Sequence, residues 1–245
     1  VSSYIISIKP FGAHAVLVEW PSEVEEAILH DILHYLQHLK AHCLAQEEWE
    51  LIPAYNSLTL VHKKTPVDFA SFSQDLKEWY VNKGETQTVR RFLWRLPVCY
   101  DEAFGIDLPE VSKNLGKSIP EIIELHTRHT YTVYGIGFLP GFMYLGGLPQ
   151  SLEVARKASP RLHVKKGSVG LASKQTGIYP QDSPGGWNII GNCPIPMFNV
   201  NKKDPCFVSV GDKIQFYAIS SAEYDLHKIE GEVGIFQLEK KLVDA

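Results

Sequence analysis

The stretch 137–149, GFLPGFMYLGGLP, decides how the second half of this chain is read. It sets Gly137, Gly141, Gly146 and Gly147, with Pro140 and Pro149, among Phe138, Phe142 and Tyr144. So much backbone punctuation is foreign to a regular strand or helix, yet the segment is too apolar for a solvent loop. From residue 131 onward the same texture continues. Short apolar runs (YTVYGIGF, SVGLA, NIIG, CFVSV, KIQFYAI) alternate with glycine- and proline-rich turns, and the helical period fades. That pattern predicts a β-barrel or sandwich, closing on a turn that feeds a terminal strand, VGDKIQFYAI.

The first half reads differently. Residues 4–9 and 14–20 alternate as strands around a turn at Pro10 to Gly12. A helix is expected over 22–43, with Ser22 as N-cap and Glu23, Glu25 and Glu26 at the positive end of its dipole. WELIPAY and SLTLVHK follow as strands, then a helix over 67–81. The order β-β-α-β-β-α predicts a small α/β sandwich. VNKGETQT (81–88) is polar and contains Gly84, as linkers do. We place the boundary there: an N-terminal α/β domain over 1–87 and a second domain over 88–245. The second opens with the strand RRFLWRLPVCY. Two short helices follow, DLPEVSKNLGKS ended by Gly116 and IPEIIELHTRH capped by Ser118. The fold class is α+β.

Composition narrows the function. The 245 residues are 44% hydrophobic and 21% charged, with a net charge of -4. No basic stripe suggests nucleic-acid binding, and no apolar run reaches the ~18 residues of a membrane span. The opening VSSYIISIKPFG lacks the pattern of a secretory signal, so the cytoplasm is the expected compartment. Cys43, Cys99, Cys193 and Cys206 form no CxxC and are expected as reduced thiols. His30, His34, His38 and His42 recur every four residues, but such steps advance by about 40° around a helix and do not converge. They read as a solvated polar face, and no metal site is expected. YGIGFLPG has the spacing GxGxxxG and no helix start behind it, so it is not a dinucleotide fingerprint. Neither a Walker A motif nor a GxSxG elbow occurs.

What remains is a chain segment, 126–191, whose few polar groups can converge. His126, Arg161, His163, Lys165, Lys166, Lys174, Gln175, Tyr179 and Asn188 are interleaved with GFLPGF, GSVGLA, QTGIYP and SPGGWNIIG. Glycines let backbone approach a ligand closely, prolines fix the loops, and aromatics supply apolar walls. A small-molecule pocket is expected.

These same residues carry a resemblance. YGIGFLPGFMYLGGLP, SPRLHVKKGSVGLASKQTGIYPQDSPGGWNIIG and the earlier IPAYNSLTLVH closely resemble the 5-oxoprolinase B subunit family, also called KipI-type kinase inhibitor or allophanate hydrolase subunit 1. The resemblance covers nearly the whole chain. It implies a C-terminal cyclophilin-like β-barrel after the small α/β domain. It implies an ATP-dependent 5-oxoprolinase, in which this chain, inactive alone, works with the A and C subunits to open 5-oxo-L-proline to L-glutamate. Other branches imply an inhibitor of a sensor histidine kinase, or a carboxyltransferase-type subunit of urea and allophanate metabolism. Under the first reading Arg161 is expected to hold the substrate carboxylate. Lys174, Gln175 and Tyr179 complete the substrate set, with Gln175 and Tyr179 on the lactam. His126 is either a proton carrier or a structural histidine. Pro140, Gly141, Phe142, Gly185, Gly186 and Trp187 are expected in the pocket loops. The chain also departs from the family pattern. A PR…PR pair appears as Ala155-Arg156 and Pro160-Arg161, VPAGSV as VKKGSV, and IGRTP as IGNCP, with Asn192 in place of an arginine.

Overall fold

The computed structural model describes residues 4–84 and 90–243. The chain divides into two compact units between Arg90 and Arg91. The expected boundary at 87/88 falls within 85–89, outside the described residues.

The first unit is a two-layer sandwich. Strands β1 (Ser7–Pro10), β2 (Ala15–Glu19), β3 (Trp49–Ala54) and β4 (Ser57–His62) form an antiparallel sheet in the order β1-β2-β4-β3. Val16 and Val18 of β2 and Leu58 and Leu60 of β4 alternate onto the buried face. Helix α1 (Glu26–His38) lays Ile28, Ile32, Tyr35 and Leu36 on them, and α2 (Phe69–Val81) adds Leu76 and Tyr80. Asp68 caps α2 through the Ala70 N–H, 3.2 Å away. Asp31 gathers the Trp20 indole N–H, the Tyr80 hydroxyl and the Lys83 ammonium within 2.7 Å.

Two expectations for α1 need correction. The helix starts at Glu26 rather than Ser22, and Val24 is exposed. With nothing for Val24 to pack on, the first expected turn has no reason to coil. Its last turn, Leu39–Cys43, is π-helical. Nor are the four histidines one solvated face. His34 is buried, because α1 is covered all round over residues 32–36, whereas His30 and His42 are exposed. Among the described residues no group of three or more side chains is placed to hold a metal ion.

The second unit is a closed barrel. Its seven strands run β12-β9-β10-β7-β6-β13-β5 and return to β12. They are β5 (Arg91–Cys99), β6 (Thr130–Ile136), β7 (Met143–Gly146), β9 (Ser168–Ala172), β10 (Gln175–Ile178), β12 (Asn188–Asn192) and β13 (Lys213–Ile219). β5 and β13 pair in parallel; the other pairings are antiparallel. β14 (Glu239–Val243) covers the start of β5's other edge, and β12 reaches its end at Cys99. Asp212 ties the start of β13 to β5, accepting from the Phe92 backbone N–H at 2.9 Å and the Trp94 indole at 3.0 Å. A separate two-stranded ribbon pairs β8 (Arg161–Val164) with β11 (Ser183–Gly185).

Helix α3 (Leu108–Leu115) ends at Gly116, whose φ of 62° makes the left-handed cap. Helix α4 (Ile119–Arg128) opens with a full capping box between Ser118 and Glu121. Both match the sequence reading. The C-terminal part does not. The stretch 206–210 is irregular rather than a strand, and β13 is not terminal. It runs into helix α5 (Ser221–Val233), capped by Ser220 and Glu223, before β14. All four cysteines are free thiols. No helix of the described residues is long and apolar enough to cross a membrane.

Candidate functional site

The site follows from the two-residue period of the strands. On β10, Thr176 and Ile178 point into the barrel, while Gln175, Gly177 and the following Tyr179 point out. On β7, Met143 and Leu145 belong to the barrel core, but Tyr144 lies outside it. On β9 and β12 the inner Leu171 and Ile190 alternate with outer Ala172 and Ile189. The outer side chains would lie bare on a simple barrel. Here they join Phe142, Val164 and Trp187 in a second apolar cluster, roofed by the β8–β11 region and the 137–142 loop. Phe142 is at its centre, edge-on to Tyr144 (4.9 Å), Tyr179 (5.5 Å) and Trp187 (5.5 Å).

Beside this cluster opens a cavity of about 490 Å³, within the range of small-molecule sites. Phe142, Tyr144, Tyr179 and Trp187 wall it, Gln175 lines it, and Arg156 stands at its side. Burial raises the phenol pKa of both Tyr144 and Tyr179, so each stays a neutral hydrogen-bonding group. Gly185 is required here: a Cβ would sit 2.3 Å from the Tyr179 hydroxyl. Two lining residues, Phe138 (φ 68°) and Ser173 (φ 51°), hold left-handed backbone without being glycine. Such strain persists only where the surroundings over-determine it, and it clusters at functional sites. Among the described residues lining the cavity there is no histidine, cysteine, lysine or carboxylate.

The structure sorts the expected residues. Gln175, Tyr179, Phe142, Gly185, Gly186 and Trp187 line the cavity. Pro140 and Gly141 do not; they form the turn from Leu139 to Phe142, closed by a 2.9 Å backbone bond, with Gly141 at φ 83°. Lys174 is exposed and outside the lining. Arg161 is outside it as well. Its Nη2 lies 2.5 Å from Oδ1 of the buried Asp107, and its Nη1 is buried without a partner. Asp107 also takes the Lys157 ammonium at 3.1 Å and the Ile189 backbone N–H at 2.7 Å. Arg161 is therefore a tie between the ribbon and the barrel, and Arg156 is the guanidinium at the cavity.

His126 is fully enclosed in the barrel. Its Nδ1 lies 2.7 Å from the Tyr100 hydroxyl, its Nε2 lies 2.9 Å from the Thr176 hydroxyl, and its ring stacks on Phe216 at 4.6 Å. Burial lowers its pKa to about 3, with His129 adding to the effect. It is a neutral core histidine with both nitrogens satisfied, away from the cavity.

A second cavity, about 570 Å³, holds the other family departures. Lys165, Lys166 and Asn192 line it together with Asp182, Tyr224 and Lys228. Asn192 is fixed there, donating to the Lys166 carbonyl at 3.0 Å and accepting from the Tyr224 hydroxyl at 3.0 Å. The sequence missed Arg156 as a site residue. Its signal was present, as the first arginine of the altered PR…PR pair, but only the fold separates it from Arg161.

Comparison with known proteins agrees with this architecture. Residues 6–208 match the family model described as "Carboxyltransferase domain, subdomain C and D". The 5-oxoprolinase B subunit of Bacillus subtilis is 35% identical over 237 residues, covering 91% of this chain and 97% of that protein. The solved structure of TTHA0988 superposes with a TM-score of 0.72 at 29% identity, covering 85% of this chain and 40% of that longer one. The urea amidolyase of K. lactis superposes with a TM-score of 0.81 over 98% of this chain and 16% of its own, at 14% identity, a likeness of fold alone.

Proposed function

Because this chain belongs to the carboxyltransferase subdomain C and D family, we propose that it works as the B subunit of a multi-subunit 5-oxoprolinase, which opens 5-oxo-L-proline to L-glutamate at the expense of ATP. The observation that carries the reading is the outer-wall cavity: aromatic, of small-molecule size, and with one guanidinium, one amide and no histidine, cysteine, lysine or carboxylate among its described lining residues.

A lactam is a resonance-stabilised amide. Opening it requires both activation at its oxygen and a base for the attacking water. In this reading the chain supplies binding and orientation. The Arg156 guanidinium matches the fork of the substrate carboxylate. The rings of Phe142, Tyr144 and Trp187 exclude water from the five-membered ring, and the Gln175 amide addresses the lactam. In this reading the acid–base groups come from the companion A and C subunits, and the chain is inactive alone. ATP does not fit this cavity. Arg156 is the sole lysine or arginine among the described lining residues, whereas a triphosphate with its metal ion asks for several donors and a backbone cradle. We leave the nucleotide to the other subunits.

The test is reconstitution. The three purified subunits, 5-oxo-L-proline and ATP are expected to yield glutamate, and omission of this chain to abolish it. Glutamate formation at the same rate without this chain would sink the reading.

A further inference from the structure

Helix α5 turns its apolar stripe away from the barrel it packs on. Its inward residues are Tyr224 and Gly231. The Tyr224 ring lies 4.3 Å from that of Phe104, and a Cβ on Gly231 would come within 2.9 Å of Pro196. At about 100° per residue, Leu226, Ile229 and Val233 fall within about 60° of one another on the opposite side. They are 54%, 61% and 64% exposed. An amphipathic helix ordinarily buries such a stripe.

The borders of the stripe are acidic. Asp225 and Glu232 run along one flank, Glu223 and Glu230 along the other. Glu223 also closes the capping box with Ser220, and Glu230 accepts from His227 at 2.9 Å. Glu223 is exposed and Glu230 half-buried. Lys228 lies further round, on the second cavity, whose rim Asp225 and Glu232 share.

We propose that this face of α5 is a docking surface for an amphipathic helix of a partner polypeptide, one whose apolar stripe is bordered by lysine or arginine. The charge pattern selects the occupant. A second copy laid against the same face would set carboxylates against carboxylates, and an anionic lipid surface would meet the same repulsion. Basic borders turn both rows into favourable pairs and orient the encounter, as flanking charges do in coiled coils. The apolar stripe then supplies the desolvated centre of the interface.

Two synthetic helical peptides test this on the full chain. One carries a leucine stripe bordered by lysines; its twin has glutamate at every lysine. By fluorescence anisotropy the lysine peptide is expected to bind, and its twin to bind at least about tenfold more weakly. Leu226→Ser with Ile229→Ser is expected to weaken the lysine peptide about tenfold or more, with Tm unchanged because both residues are exposed. Asp225→Lys with Glu232→Lys is expected to shift preference toward the glutamate peptide. The proposal is overturned if the serine variant binds the lysine peptide as well as the parent, or if the parent binds both peptides alike. Dimerisation of the parent in sedimentation, or its binding to phosphatidylserine vesicles, would also overturn it where the serine variant abolishes either.

Discussion

Two aromatic clusters share strand β10, one on each face. Inside the barrel, Tyr100, Tyr131 and Phe216 close around His126. Outside, Phe142, Tyr144, Tyr179 and Trp187 leave room for a ligand. The closed cluster holds the side chain best suited to proton transfer near neutrality, and nothing can reach it. The open cluster can be reached and holds no such side chain. Accessibility and reactivity are thus separated by the thickness of one strand. A strongly perturbed pKa in this molecule reports enclosure rather than activity, since both hydrogen-bonding positions of the imidazole are already taken.

Substitutions can break or sharpen that contrast. The largest effect is expected at Asp107, which ties the cavity's ribbon to the barrel. Asp107→Ala leaves Arg161, Lys157 and the Ile189 N–H without their shared acceptor, and urea unfolding should register a loss of about 3–5 kcal/mol. Next comes His126→Ala. A cavity and two stranded hydroxyl partners should cost about 2–4 kcal/mol. Turnover per folded molecule in the reconstituted complex should remain; a collapse of turnover in a still-folded variant would erase the distinction between the clusters. Arg156→Ala is expected to do the reverse. Thermal unfolding should hold, while KM for 5-oxo-L-proline rises about 10–100-fold, equivalent to about 1.4–2.8 kcal/mol. Arg156→Lys should restore charge but not the fork, and recover only part of that loss.

The smallest effect is a pH slope. His126 is neutral in the folded chain, with a pKa of about 3, and unfolding returns it to about 6.5. Between these values the unfolded state binds the extra proton, so stability is full above about pH 6.5 and falls as pH drops below it, by at most about 1.4 kcal/mol per pH unit. Urea midpoints measured from pH 7 to pH 5 should decline less steeply in His126→Gln than in the parent.

Elements with local punctuation were legible in the sequence. Gly116 and the Ser118–Glu121 box fixed the ends of α3 and α4 from a few residues each. Helix α5 carries the same signal at Ser220 and Glu223, but its apolar residues point outward, so no core-facing stripe drew attention to it. The cavity's loops were legible as a set because their glycines and aromatics are concentrated in short motifs. Which arginine serves the cavity was not legible. Arg156 and Arg161 are five residues apart, and their fates depend on where the β8–β11 ribbon meets Asp107, a contact more than fifty positions away in sequence. His126 shows the same limit: its residue type permits catalysis, and only the fold reveals that it is enclosed beside β10 and β13.

The parallel pairing of β5 with β13 also has a temporal consequence. The first strand of the barrel finds its central neighbour roughly a hundred and twenty residues later, at Lys213–Ile219, and its final edge partner later still. During synthesis the emerging β5 therefore waits, unpaired along most of both edges, until β13 has left the ribosome. Loop closure over such a span is slow, and exposed strand edges invite wrong partners in the interval. The unit is expected to fold once β13 and β14 have emerged rather than strand by strand, and to depend on helper chaperones more than the compact, locally paired sandwich that precedes it.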